Sequence, residues 1–241
     1  MLKLENISVK RGKFIALKDV SFKVDAGKTI AVVGESGAGK STLIASILNL
    51  VGLASGKISW NDKPVRRISP ALVSQEPRAA FNPVMTLKQS VFEPIVGQKK
   101  TLPPNRLNRL CEGLELPIDL LDRKPNEVSI GQAQRVGIVR ALIASSPLIL
   151  FDEPLSALDA VTQKHTARLI SDLQKEEGFA ALIVTHDLGY AAAFADDIIV
   201  LKTGLVEEYS SAEEFIQSPR TQYGQDLRNA AFALGALESA S

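Results

Sequence analysis

The chain has 241 residues, 45% of them hydrophobic, with 28 Lys plus Arg against 27 Asp plus Glu and a net charge of +1. That apolar content buries a real core and excludes a disordered chain, and near-neutrality gives no long-range field to gather nucleic acid or anionic lipid. A single cysteine, Cys111, forms no intrachain disulfide and reads as a small, half-buried apolar residue, in keeping with a reducing compartment.

The first stretch, "MLKLENISVKRGK", alternates apolar and polar residues and lacks the apolar block and cleavage site of a secretory signal. Leu2, Leu4 and Val9, then Val20, Phe22 and Val24, recur with a period near two on either side of the turn-prone "KRGK", which predicts an N-terminal antiparallel sheet. "KTIAVV" reads as a buried strand and "GESGAG" as a loop. "KSTLIASILNLV" reads as a helix with Leu43, Ile44, Ile47 and Leu48 on one face, ended by Gly52. From about Pro77 to Pro125 the strand signals fade. Pro83, Pro94, Pro103, Pro104, Pro117 and Pro125 divide this segment into short helical pieces such as "LNRLCEGLEL". A small helical lobe, roughly residues 77–145, is therefore expected as an insertion into the sheet domain. "GQAQRVGIVRALIA" is helical, and "PLILF" and "AALIVT" are continuously apolar strands of the parallel type. "IIVLKTGLVEE" is a hairpin around Gly204, and Ser211 with Glu214 opens a further helix as a capping box. No repeat or linker divides the chain, so residues 1–241 are expected to form one domain. No apolar run approaches the ~20 residues of a membrane-spanning helix, so a membrane role must come through a partner.

"GESGAGKST" matches the phosphate-binding pattern G-x-x-x-x-G-K-[ST] between a buried strand and a helix, the context the mechanism needs. The candidate phosphate-binding residues are Gly34, Glu35, Ser36, Gly37, Ala38, Gly39, Lys40, Ser41 and Thr42. The glycines let successive backbone N–H groups turn toward phosphate oxygens, the helix N-terminus adds positive potential, Lys40 reaches the β and γ phosphates, and the Ser41 hydroxyl binds Mg²⁺. In "LILFDEP", Asp152 and Glu153 lie just past an apolar strand, where parallel sheets present their ligands. Asp152 is suited to order the water shell of Mg²⁺ and Glu153 to polarise a water for in-line attack on the γ phosphate. His186, in "IVTHDL", ends another strand of the same sheet and is a candidate γ-phosphate sensor; with only His165 beside it in the chain, a transition-metal site is not expected.

These groups contact one side of a nucleotide and leave the γ phosphate open on the other. "NEVSIGQAQR" offers a second cradle: Ser129 and Gly131 begin a helix and present a hydroxyl, backbone N–H groups and a helix dipole to an anion. Two copies facing head to tail could each lend this turn to the other's ATP, which would make hydrolysis depend on assembly.

In order along nearly the whole chain, these stretches resemble the ATP-binding-cassette (ABC) ATPases, the motor subunits of ABC transporters. "GESGAGKST" resembles the Walker A motif, Gln75 in "ALVSQEP" the Q-loop, and "VSIGQAQR" the signature usually written LSGGQ. "LILFDEP" resembles Walker B with its catalytic Glu, "SALD" with Asp159 the D-loop, and "VTHD" with His186 the switch histidine. The resemblance implies an α/β P-loop NTPase of ABC type, a mixed sheet with an N-terminal antiparallel β subdomain and an inserted helical subdomain. It implies ATP with Mg²⁺, the ion near Ser41, Gln75 and Asp152; catalytic roles for Glu153, His186, Lys40 and Gln75; and Ser129, Gly131 and Gln132 on a facing subunit's nucleotide. "EPRAAFNPVMTLKQSVFEP", with Asn82-Pro83, Met85-Thr86 and Glu93-Pro94, and the tail through Pro219, Tyr223 and Leu227 are similar to the importers of peptides and of nickel or nickel chelates. The implied partners are integral membrane permeases at the cytoplasmic face of the cell membrane, a second cassette subunit, identical or not, and indirectly an extracytoplasmic substrate-binding protein; no nucleic acid is implied.

Two positions depart from the family pattern. Ile130 stands where the signature usually has Gly, which suggests a weakened composite site and a different cassette as partner. Motif spacing brings Arg11 to the place where the family stacks an aromatic residue on adenine; the Arg11 guanidinium or Phe14 would fill it. A soluble cassette ATPase acting on DNA or ribosomes is the alternative of another class, but such proteins carry coiled-coil insertions, zinc-binding cysteines or two cassettes in one chain, and none is visible. A P-loop kinase or GTPase would not need "VSIGQAQR".

Overall fold

The computed structural model of the chain describes residues 1–233. Its N-terminal antiparallel sheet starts with β1 (Leu2–Arg11) and β2 (Phe14–Val24), joined at the predicted turn, and is completed by β4 (Ser55–Trp60) and the short β5 (Lys63–Pro64) in the order β2-β1-β4-β5. A second sheet combines β3 (Thr29–Val33), β6 (Ala71–Val73), β7 (Leu148–Asp152), β8 (Ala180–Val184), β9 (Asp197–Lys202) and β10 (Leu205–Ser211) in the order β10-β9-β3-β8-β7-β6. Five of these strands are parallel, and β10 runs antiparallel at the edge.

The continuously apolar strands are buried on both faces, and their side chains sort between cores with the two-residue period of the pleat. Ile30 and Val32 of β3, Leu148 and Leu150 of β7, and Leu182 and Val184 of β8 join a core beneath the N-terminal sheet. Their neighbours Ile149, Phe151, Ala181 and Ile183 face the opposite core, built with the helices inserted between β6 and β7. Those are α2 (Leu87–Gly97), α3 (Arg106–Gly113) and α4 (Ile130–Ile143), and since Val136, Val139 and Leu142 of α4 share one cluster with Ile149 and Phe151, the helical lobe and the sheet are fused through a common interior. A third cluster joins Ala31, Val33, Ile198 and Val200 to α6 (Leu188–Phe194), α7 (Ala212–Gln217) and α8 (Gln222–Ala233). α5 (Ala160–Glu177) leads from β7 to β8.

The predicted hairpin forms with Thr203 at φ 47° and Gly204 at φ 80°, the pair of positive dihedrals a two-residue turn between twisted strands requires. Two helix boundaries differ from expectation. α1 (Lys40–Ile47) stops before Gly52: Asn49 takes the left-handed conformation at φ 58°, and Leu50 points to solvent. Asn tolerates that conformation, so the helix closes one turn earlier than the apolar pattern suggests. At α7 only half of the capping box exists. Ser211 Oγ accepts from the Glu214 N–H at 3.1 Å, but the Glu214 carboxylate is taken by Arg220 at 2.6 and 3.0 Å.

Candidate functional site

Because β3, β6, β7, β8 and β9 are parallel, the loops after them open on the same end of the sheet, and residues far apart in the chain meet there. They line a cleft of about 730 Å³: the loop after β3 from Gly34 to Thr42 except Ala38, with Gln75 after β6, Asp152 and Glu153 after β7, His186 after β8, and Thr203 and Gly204 after β9. Phe14, Ile15 and Ala16 of β2 line it from the N-terminal sheet.

The phosphate loop is shaped by close packing. A Cβ on Gly34 would collide with the Leu201 carbonyl oxygen, and one on Gly39 would come within 2.8 Å of the Ala16 oxygen; both glycines have positive φ, at 148° and 110°. Ala38, expected among the phosphate-binding residues, instead turns its methyl into the core and uses its N–H on the Glu35 carbonyl at 3.2 Å. Among the described residues, the N–H groups of Ser36, Gly37, Gly39 and Lys40 make no hydrogen bond to protein, the condition for an anion-binding nest. Lys40 Nζ lies back on the loop, donating to the carbonyls of Gly34 at 2.6 Å and Glu35 at 2.9 Å. Burial pulls its pKa below the usual lysine value, against the raising pull of Glu153 and Asp152.

Glu153 occupies the left-handed region at φ 48°, a conformation that costs a side-chain-bearing residue about 1–2 kcal/mol. Its surroundings hold it there from several directions. Its N–H donates to the Val184 carbonyl at 2.9 Å, and its carbonyl accepts from Ser156 Oγ at 3.1 Å and Gln134 Nε2 at 3.4 Å. Its carboxylate meets His186 Nδ1 at 2.8 Å and accepts from Thr185 Oγ1 at 3.3 Å. The acid is 10% exposed and the His186 ring 75%, so the imidazole stands on the cleft wall while the carboxylate sits within it. Burial first, and then the neighbouring Glu153 charge, raises the Asp152 pKa, with Lys40 opposing. Adjacent carboxylates in a partly buried cleft favour a bound cation, and the Ser41 hydroxyl, Gln75 amide oxygen and Asp152 carboxylate are the hard oxygen donors that suit Mg²⁺.

The second cradle lies elsewhere on the molecule. Ser129, Gly131 and Gln132 do not line the cleft. They open α4 with a reciprocal cap: Ser129 Oγ accepts from the Gln132 N–H at 3.1 Å, and Gln132 Oε1 accepts from the Ser129 N–H at 2.9 Å. Gly131 is packed on the segment after Glu153, where an added Cβ would lie 3.1 Å from the Ala157 oxygen. Ile130 is 52% exposed beside them. Asp159 caps α5, accepting from the N–H groups of Val161 and Thr162 at 3.1 and 3.0 Å. Arg11 does not line the cleft either. It pairs with Phe14 across the β1–β2 turn, and Phe14, 80% exposed, is the one that reaches the mouth. Sequence reasoning missed Thr185 and Gln134, which hold Glu153, and Ile15, Ala16 and Thr203 on the cleft wall. Thr185 was within reach, since it lies between the apolar strand and His186; the others carry no local signal.

A family profile described as ABC transporter matches residues 17–156. The oligopeptide transport ATP-binding protein OppF of Haemophilus influenzae is 36% identical over 229 residues, which span 89% of this chain and 69% of that protein. The carnitine transport ATP-binding protein OpuCA of Listeria monocytogenes is 32% identical over 235 residues, 94% of this chain and 59% of that one. In structure, the chain matches the dimeric post-hydrolysis state of the ATP-binding cassette MJ0796 bound to ADP and Pi with a TM-score of 0.79 and 31% identity, over 88% of this chain and 99% of that one.

Proposed function

The chain belongs to the ABC transporter ATP-binding family, and from that membership we propose that it is the ATP-hydrolysing subunit of a peptide importer, attached to membrane permeases at the cytoplasmic face. The observation that carries the reading is the convergence of a phosphate nest, Asp152, Glu153 and His186 on one cleft at the carboxyl end of the sheet. Likeness to a protein named for oligopeptide transport supports peptides as cargo. Among the described residues no helix is long and apolar enough to cross a membrane, so the path for cargo would belong to partner subunits.

In the proposed mechanism the free N–H groups of the loop and the α1 N-terminus bind the phosphates, and Lys40 leaves the Gly34 and Glu35 carbonyls for the β and γ oxygens. Ser41, Gln75 and Asp152 would hold Mg²⁺, which would supply charge to neutralise the phosphates. Glu153 accepts a hydrogen bond from the attacking water and takes its proton as the oxygen bonds to the γ phosphorus and the bond from phosphorus to the β–γ bridging oxygen breaks, with ADP leaving with that oxygen, while His186, released from Glu153, turns to the γ phosphate. Phe14 stacks on adenine. Ser129, Gly131 and Gln132 of a facing subunit cover the exposed side of the phosphates, a pairing supported by the likeness to a dimeric cassette.

Ile130, exposed between Ser129 and Gly131, puts a branched side chain where backbone must approach phosphate, which supports pairing with a different cassette and two unequal sites. Ile130→Gly should then raise turnover of the assembled complex; no gain would refute the inequality. For the whole reading, the chain should co-purify with integral membrane subunits, and a strictly monomeric preparation hydrolysing ATP at the full rate of the complex would overturn it.

A further inference from the structure

The tail residues Pro219, Tyr223 and Leu227 form a pattern for which the hydrolysis mechanism has no task. In the fold, Tyr223 on α8 reaches the phosphate loop: its hydroxyl accepts the Glu35 N–H at 3.3 Å, across 188 positions of sequence. The peptide unit concerned is the one between Gly34 and Glu35. Its carbonyl, that of Gly34, accepts Lys40 Nζ at 2.6 Å. In a trans peptide the N–H and C=O point in opposite directions, so a single plane is held by Tyr223 on one edge and by the phosphate-binding lysine on the other.

Tyr223 is itself fixed. Its ring is 9% exposed, packs in the cluster with Ala31 and Val33 of the strand that feeds the loop, and carries Lys202 Nζ over its face at 4.2 Å. The start of α8 is pinned by the buried Glu208 carboxylate, which accepts from the N–H groups of Arg220 at 2.8 Å and Thr221 at 3.1 Å and from Thr221 Oγ1 at 2.9 Å. Gly224 leaves no room for a Cβ against Glu208, so the helix can approach this closely only with glycine there.

We infer that Tyr223 is a positioning residue for nucleotide binding, setting the Gly34–Glu35 peptide and through it the resting place of Lys40. The inference rests on the proposed nucleotide reading of the cleft. A loop whose first peptide is already oriented loses less freedom when phosphate binds, and that saving appears as affinity.

The test is Tyr223→Phe in the full chain, which keeps the ring, its packing and the Lys202 contact and deletes only the hydroxyl. Titration with MgATP should show Kd rising about three- to tenfold, the worth of one intramolecular hydrogen bond. The melting temperature should fall by no more than about 5 °C, and the Glu35 amide should exchange with solvent faster while the β3 amides keep their protection. An unchanged Kd, or unchanged exchange at Glu35, overturns the role of Tyr223. Lys40→Ala run alongside separates the two ideas: if the unaltered chain binds no MgATP, or Lys40→Ala binds it equally well, the nucleotide reading itself fails.

Discussion

Replacing Glu153 with Gln exchanges one carboxylate oxygen for an amide nitrogen at constant shape, and the structure lets the consequences be separated. The backbone at φ 48° is held by the Val184 carbonyl, Ser156 and Gln134, none of which involves the carboxylate, so the conformation should persist. The amide oxygen still faces His186 Nδ1, and the amide N–H can donate to Thr185 Oγ1, whose hydroxyl rotates to accept. Stability should therefore change by no more than about 1 kcal/mol. What disappears is the base. General-base assistance contributes roughly 10²- to 10⁴-fold, or about 3–5 kcal/mol of barrier, and turnover should fall by that factor. Binding of ATP should strengthen, because a negative charge leaves the neighbourhood of the γ phosphate, and the Asp152 pKa should drop with the loss of its neighbour's repulsion. Phosphate release measured with the assembled complex, together with nucleotide retained after gel filtration, reads both effects; the expected state is slow and nucleotide-loaded. Turnover within tenfold of the unaltered complex would remove Glu153 from its proposed role.

At the mouth of the cleft, Phe14→Ala should weaken ATP binding by about 1 kcal/mol or more, the usual worth of stacking on a base, whereas Arg11→Ala should leave it unchanged; calorimetric titration of both variants decides between them. Gly34→Ala drives a Cβ into the Leu201 carbonyl at a φ of 148°, and should destabilise by about 3 kcal/mol, lowering the melting temperature by roughly 6–12 °C for a chain of this size. Gly131→Ala meets a milder contact, 3.1 Å from the Ala157 oxygen. Its melting point should move by less than about 4 °C while ATPase activity of the assembled pair drops at least ~tenfold, since relieving the Ala157 contact shifts the start of α4, and with it Ser129 and Gln132, from their proposed place on the neighbour's phosphates; an active variant would place that turn outside the composite site.

Much of this protein is written in features that neighbouring residues settle between themselves. Glycine spacing before Lys40 specifies an anion nest because residues lacking Cβ turn most easily so tightly, Gly204 marks the hairpin for the same reason although Thr203 beside it takes a positive φ despite its Cβ, and uninterrupted apolar runs specify strands covered on both faces. Placing Asp152, Glu153 and His186 at strand ends followed from those runs alone. Where helix α1 ends was settled by Asn49 taking a left-handed turn, whether Glu214 completes a cap or pairs with Arg220 by a competing ion pair, and whether Ala38 faces phosphate or core by packing. Phe14 rather than Arg11 reaches the cleft because the register of β1 against β2 aims one of them there. The hold of Gln134 on Glu153 and of Tyr223 on the Glu35 N–H joins residues 19 and 188 positions apart. No periodicity encodes such contacts: local sterics determined the elements and the ligands they carry, and only the docking of helices on the sheet determined which distant side chains hold those ligands in place.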